Sequence, residues 1–379
     1  MMVRKEPVVR LLADLVAIPS MNPMGQNVPS DQYSESGLAS YLMEHLKKEG
    51  IDAESYEVSP GRPNVAGFID VKASGTLLLE AHMDTVHATG MSIDPFDPVV
   101  KDGRLYGRGS CDTKGSIAAF VGAVTDLLRS GSKFKYNVLL LLVADEEYRF
   151  TGAEAAVRRG LKADFGIVGE PTNLTIVRAH KGVTRWRIRT EGVAAHSAFP
   201  ERGRNAIYTM GEVIRRLETY AEELARGESD PDLGNPTISI GMIQGGSAVN
   251  VVPDFCRIEI DRRTLPGEEI EGILGSVAAK LGDLPHVQMD PPYLSVHGMS
   301  VAENNPVVRM LSDALTSTGT DAVTMVAPYA TDAGIYTAAG ITTVVFGPGD
   351  IAQAHTTAEF IELKQLKQAV DVLKHMIAG

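Results

Sequence analysis

The chain is poor in the residues that staple, anchor or decorate a fold: 379 residues contain two cysteines, one tryptophan and 6% aromatics. Cys111 and Cys256 stand far apart, so free thiols in a reducing compartment are expected rather than a disulfide, with the cytoplasm as the default. The opening stretch MMVRKEPVVRLLADLVAIPS carries a basic pair, Arg4-Lys5. Its apolar positions are interrupted by Arg10 and Asp14 at amphipathic-helix spacing, unlike the unbroken core of a secretory leader. No window reaches the roughly 18 consecutive apolar residues of a membrane helix, so no membrane is expected as a partner. Long Lys/Arg runs are missing too, and a formal net charge of -12 repels polyanions, which argues against nucleic acid. There is no internal repeat, no low-complexity tract and no G-x-S-x-G elbow of a serine hydrolase.

What is present is globular: 44% apolar and 22% charged residues. The length suits two domains at about 100 to 200 residues each. The first 180 residues alternate amphipathic stretches, near 4–17 and 31–49, with β-rich runs near 64–71, 76–82 and 165–168. The run 136–144 (YNVLLLLVA) is apolar without interruption over strand length, as expected of a strand covered on both faces. From Lys181 the pattern changes to a compact α+β unit, with strands near 183–191, 236–245, 256–263 and 286–289 and helices over 203–226 and 266–282. The first rhythm then resumes, with helices near 305–319 and 363–378 and a strand over 342–346. The expected fold class is α/β, a mixed sheet flanked by helices, interrupted by a two-layer α+β insertion. The expected domains are 1–180 with 293–379, and 181–292. In such an arrangement strand ends and clefts form the site.

The chemistry-bearing residues follow those strands. One strand ends in His82-Met83-Asp84, and alternation places His82 and Asp84 on one side. A carboxylate there suits the second nitrogen of a metal-binding imidazole. By itself the triplet is also an ordinary polar strand end. In the glycine-bracketed loop 107–115 (GRGSCDTKG), Asp112 reads either as a helix N-cap or as a carboxylate aimed at a cation. The loop lacks the Lys-Ser/Thr ending of a phosphate loop. The apolar run discharges into Asp145-Glu146-Glu147, where repulsion and desolvation call for a compensating cation unless the segment is a solvated loop. If it is extended, Glu146 and Glu147 face apart, one to bind metal and the other to work on a water. Glu170 and His355 follow two further strands. Two histidines and three carboxylates, with no cysteine, favour a two-ion centre bridged by a carboxylate over a closed structural zinc.

The motifs EAHMDTV, LYGRGSCDTKGS, ADEE, GEPT, GVAAHSAFPERGRNAI, AVNVVPD, DRRTLPGE and GPGDIAQAHTTAEF occur in this order over nearly the whole chain. Together they resemble the dinuclear zinc peptidase and deacylase family that includes acetylornithine deacetylase, succinyl-diaminopimelate desuccinylase, aminoacylase and carboxypeptidase G. The resemblance implies that His82, Asp112 and Glu170 hold one ion and Asp112, Glu147 and His355 the other, with Asp112 as the bridge. It further implies Glu146 as general base, Asp84 behind His82, His196 as an oxyanion stabiliser often reaching a partner subunit's site, and Asn205, Asn250 and Arg263 as substrate contacts. Two divalent ions are expected, zinc first and cobalt or manganese as substitutes. The insertion is expected to act as lid and dimerisation domain of a homodimer. The expected reaction is hydrolysis of a small N-acyl amino acid by a metal-activated water; the alternative is a dipeptidase or carboxypeptidase. A non-catalytic binding protein is disfavoured because every role has a suitable side chain. Thr113 departs from the methionine common in deacetylase-like members, beside the site but without removing a ligand.

Overall fold

A computed structural model of the protein describes residues 6–28 and 31–379. The Arg4-Lys5 pair and the first residues of the helix expected over 4–17 lie outside the described residues. That helix is described as Pro7–Val16, with proline at its first turn, where a missing N–H costs nothing.

The chain forms two compact units. The first takes the described residues up to Arg178, together with Val301–Met325 and Thr331–Gly379; the second takes Ala179–Ser300 and Val326–Ala330. Residues 293–300, assigned by sequence to the first unit, fall in the second because Leu294–Val296 pairs with the strand Gly182–Glu191.

The sheet of the first unit runs in the order Asp52–Ser59, Arg62–Ile69, Asn137–Val143, Thr76–His82, Phe165–Val168, Thr342–Val345, Ile176–His180. The four strands from Asn137–Val143 to Thr342–Val345 are mutually parallel, and their flanking pairs are antiparallel. The central run is buried along most of its length, including Val138, Leu140, Leu141, Leu142 and Val143, so no polar alternation marks it. Each such side chain contributes roughly 1.5–3 kcal/mol by leaving water. The helix Lys114–Ser130 packs on this sheet and on the helices Pro7–Val16 and Leu363–Ala378. Being enclosed, it is apolar or small nearly all round. It stops at Gly131, whose φ of 67° lets its N–H reach the carbonyls of Leu127 and Leu128. In Leu363–Ala378 the buried positions Leu366, Ala369, Val370, Leu373, Met376 and Ile377 recur at helical spacing.

In the second unit an antiparallel sheet, ordered Thr237–Gly245, Phe255–Thr264, Gly182–Glu191, Val287–Met289, carries two helices, Ala206–Arg226 and Ile270–Leu281. Alternate residues of the two long central strands are buried, among them Trp186, Ile188, Ile258 and Ile260, against Met210, Val213, Leu217 and Val277. The other face pairs Arg185 with Asp261 at 2.8 Å and Arg187 with Glu259 at 3.1 Å. The helix expected over 203–226 begins at Ala206, because Asn205 caps it by accepting from the N–H groups of Ile207 and Tyr208.

Buried His180 makes one pH effect predictable. Its Nδ1 lies 2.9 Å from the Lys181 carbonyl oxygen, and burial pushes its pKa from the usual 6.5 down to about 4. The native state therefore holds the ring neutral while the unfolded chain takes up a proton below pH 6.5. Stability falls as pH drops from about 6.5 towards 4, at up to about 1.4 kcal/mol per pH unit. Urea unfolding at pH 7.5 and pH 5 should show a smaller acid loss in His180→Gln than in the wild type.

Candidate metal centre

Four adjacent parallel strands deliver acidic and imidazole groups beyond their carboxyl ends. Thr76–His82 delivers His82 and Asp84; Asn137–Val143 delivers Asp145, Glu146 and Glu147; Phe165–Val168 delivers Glu170; Thr342–Val345 leads to His355. This is where open parallel sheets place ligands. Asp112 arrives at the start of Lys114–Ser130, but not as its cap: the N-cap residue is Thr113, and no side chain bonds the helix end. Asp112 instead splits its two oxygens between two imidazoles, Oδ1 lying 3.1 Å from His82 Nε2 and Oδ2 3.3 Å from His355 Nε2.

Among the described residues two groups of donor atoms result, His82 with Asp112 and Glu170, and Asp112 with Glu147 and His355; within each, all donor atoms lie within 4.8 Å of one another. Glu170 Oε1 is 3.8 Å from His82 Nε2, and Glu147 Oε2 is 3.2 Å from His355 Nε2. The other Glu147 oxygen is buried with no hydrogen-bond partner. Borderline nitrogen and hard oxygen donors in this mixture, with an orphaned carboxylate oxygen, fit divalent cations.

The titration directions express the same crowding. Burial pushes Glu146, Glu147 and Glu170 up, Glu146 and Glu170 well above the usual carboxylate range. Burial also disfavours charge on Asp112 and His82, but their mutual hydrogen bonding, with that of His355 to Asp112, outweighs it and holds Asp112 low and His82 high. Hydrogen bonds to Asp112 and Glu147 push His355 up to about 10. Protons and cations thus compete for the same atoms.

His82 is oriented by Asp84 through two routes. Its Nδ1–H donates to the Asp84 carbonyl oxygen at 2.9 Å, with the Asp84 carboxylate 3.6 Å away, leaving Nε2 turned to the centre. The Asp84 carboxylate also accepts the backbone N–H groups of Glu146 and Glu147, each at 3.1 Å. The acidic segment is a turn rather than an extended continuation of the strand, entered at Asp145 with φ 68°. The turn, not strand alternation, sets the two glutamates apart, Glu147 within one donor group and Glu146 outside both. A left-handed aspartate costs about 1–2 kcal/mol. Offsetting bonds reach its carboxylate from Arg62 at 2.5 Å, Asn22 at 2.9 Å and Thr151 at 2.6 Å.

Sequence reasoning missed four residues here. Arg62, Glu35 and Asn22 form a buried network in which Arg62 pairs with both Glu35 and Asp145, and Asn22 bridges Asp84 and Asp145. The available signal was an arginine just ahead of a mostly apolar β-rich run, in Arg62-Pro63-Asn64. Glu359, the fourth, is fully buried and accepts from backbone N–H groups of the Asp112 loop. The glycines of that loop have a steric reason: Gly109 has φ 79°, and a Cβ there would stand 2.7 Å from Thr85.

The remaining expected site residues lie in the second unit. His196 is exposed, its Nδ1 accepting from the Ala198 N–H at 3.0 Å, in a segment bridged to Val251. Asn205 is the helix cap already described, Asn250 is exposed with its carbonyl bound by the Ser197 N–H, and Arg263 Nε pairs with Asp261 at 2.7 Å.

The model of Peptidase family M20/M25/M40 matches residues 78–379. An acetylornithine deacetylase of Myxococcus xanthus is 33% identical over 377 residues, covering 97% of this chain and 96% of that protein. Among solved structures, an M20 family metallo-carboxypeptidase from Sulfolobus solfataricus superposes with a TM-score of 0.79 at 20% identity, covering 98% of each chain. A dinuclear metal binding peptidase of family M20 from Bacillus subtilis does so with a TM-score of 0.70 at 18% identity, covering 97% of this chain and 96% of that one. Fold and site define a metal-dependent hydrolase of amide or peptide bonds. The chain belongs to Peptidase family M20/M25/M40.

Proposed function

We propose that this hydrolase is a deacylase that cleaves the amide bond of a small N-acyl amino acid at a centre of two divalent ions bridged by Asp112. The observation that carries the reading is the division of the Asp112 oxygens between His82 and His355. In this reading His82, Asp112 and Glu170 hold one ion and Asp112, Glu147 and His355 the other. Zinc is the proposed resident, and cobalt or manganese suit the same donors. When bound, the ions polarise the amide carbonyl and lower the pKa of a water molecule.

The chain's own residues do the rest. Glu146, whose carboxyl burial turns towards proton uptake, accepts the proton of the attacking water and returns it to the leaving amine. Asp84 holds both the His82 ring and the Glu146 backbone in place. His196 is assigned to the oxyanion. Asn205, Asn250 and Arg263 are assigned to the substrate, with the guanidinium of Arg263 suited to a carboxylate. The second unit is proposed as lid and dimerisation domain of a homodimer. Its edge strand Thr237–Gly245 supports this by exposing Met242 and Ile243, apolar groups that an unpartnered edge leaves in water. Two buried free cysteines accord with a cytoplasmic location, and among the described residues no helix is long and apolar enough to cross a membrane.

Deacylation is favoured over peptide cleavage because the 33% identical relative is an acetylornithine deacetylase, while the peptidases compared share 18–20% identity and speak for the fold. The test is amine release by zinc-reconstituted protein from a panel of N-acetyl, N-succinyl and N-formyl amino acids and dipeptides. N-acyl amino acids should turn over faster than any dipeptide, and a chelator should stop both. Turnover of dipeptides alone would replace the deacylase with a peptidase.

A further inference from the structure

Glu359 is a carboxylate close to an already acidic centre, yet it belongs to neither donor group. Its oxygens are fully used. Oε1 accepts the backbone N–H groups of Cys111 at 2.8 Å and Asp112 at 3.0 Å. Oε2 accepts the Gly109 N–H at 2.9 Å and the Arg108 guanidinium at 2.7 Å. Two acceptor sites on each oxygen are thereby filled, which leaves none for a metal ion or a substrate proton. The loop bearing Asp112 is wrapped around this side chain as successive backbone N–H groups wrap a bound anion. The charge is further offset by Arg108, which itself donates to the carbonyls of His87 at 3.2 Å and Thr356 at 3.3 Å.

The same glutamate lies in the segment that carries His355, just before the strand Phe360–Glu362. That strand pairs with Arg104–Tyr106, immediately ahead of the loop, and the Glu359 carbonyl accepts the Gly107 N–H at 3.1 Å. One residue therefore fastens the loop of the shared ligand Asp112 to the segment of the ligand His355. His355 itself has φ 61°, a conformation its surroundings must hold.

We propose that Glu359 is a positioning residue of the metal centre: by clamping the 108–112 loop to the His355 segment it presets the spacing between Asp112 and His355, and so the affinity for the ions they hold. The proposal rests on the two-ion reading above. In Glu359→Gln an amide NH2 replaces one oxygen, so either two N–H donors or an N–H and a guanidinium face a donor. Outer partners of this kind shift metal affinity by roughly 10- to 100-fold.

The experiment is titration of the metal-stripped full chain with cobalt, followed by calorimetry and by cobalt visible absorption, in wild type and Glu359→Gln. The wild type should take two ions. The variant, with native near-ultraviolet circular dichroism, should bind them at least about ten-fold more weakly and with an altered cobalt spectrum, and saturating metal should restore most of its kcat. Wild-type affinity in the variant, or lost activity that saturating metal does not restore, overturns the positioning role while leaving the two-ion reading intact. If the variant does not fold, Arg108→Gln, which removes one donor and keeps the three backbone bonds, should weaken cobalt binding in the same direction; unchanged binding there also overturns the role. A wild-type chain that takes up no cobalt overturns the metal reading itself, and the proposal with it.

Discussion

Glu146→Gln should lower kcat for amide hydrolysis by roughly 10²- to 10⁴-fold, the usual contribution of a positioned general base, while leaving metal content and KM near wild type. Glu146 lies outside both donor groups, so its replacement should remove no ligand. Its backbone is pinned by Asp84 at 3.1 Å, and its carboxyl is pushed up by burial and by the neighbouring acids Asp332, Glu147 and Asp84, against the pull of His82. A carboxylate so placed takes a proton readily and releases it to an amine. The amide keeps the shape and loses that capacity. Steady-state kinetics with parallel metal analysis separates the outcomes: a variant that loses ions as well as rate would make Glu146 a ligand and reassign the base.

Asp112→Asn should have the second large effect, taking bound metal from two ions to none and activity to background. Asp112 is the one side chain common to both donor groups. Asparagine offers a single neutral oxygen in place of two oxygens that share one negative charge, so both groups lose their link. Glu170→Ala, which touches only the His82 group, should lose one ion and keep the other. Metal counting after dialysis reads the difference directly. The same centre should bind metal less tightly in acid. His82 is held high and His355 near 10 by their carboxylate partners, so at neutral pH ion uptake must displace protons, and lowering the pH favours the protonated rings. Calorimetry in buffers of different ionisation enthalpy should record proton release on metal binding in the wild type.

The strands that build the centre were legible because burial on both faces left a continuous apolar run at Asn137–Val143 and because each ended in a ligand-type residue. The outer strand Asp52–Ser59 was not. None of its residues is buried, so its sequence DAESYEVS carries no clear apolar face. Boundaries moved for local reasons, as where Asn205 caps its helix rather than lying inside it. The supporting shell of the site was invisible for a different reason. Arg62 meets Asp145 across 83 residues and Glu359 meets the Asp112 loop across about 250, and no periodicity encodes such pairings. The turn at Asp145 was equally hidden, since a non-glycine residue with positive φ is set by the bonds its side chain makes after folding. Asp112 was open between cap and ligand in the sequence; the two histidines that flank its carboxylate, 30 and 243 positions away, come beside it only once the chain is folded.

The central claim, a two-ion centre bridged by Asp112, is tested most directly by anomalous diffraction at the zinc edge from crystals of the zinc-loaded protein. The account predicts two peaks, one within ligand distance of His82 and Glu170, the other of Glu147 and His355, with the Asp112 carboxylate between them. A single peak, or two that do not share Asp112, would contradict it.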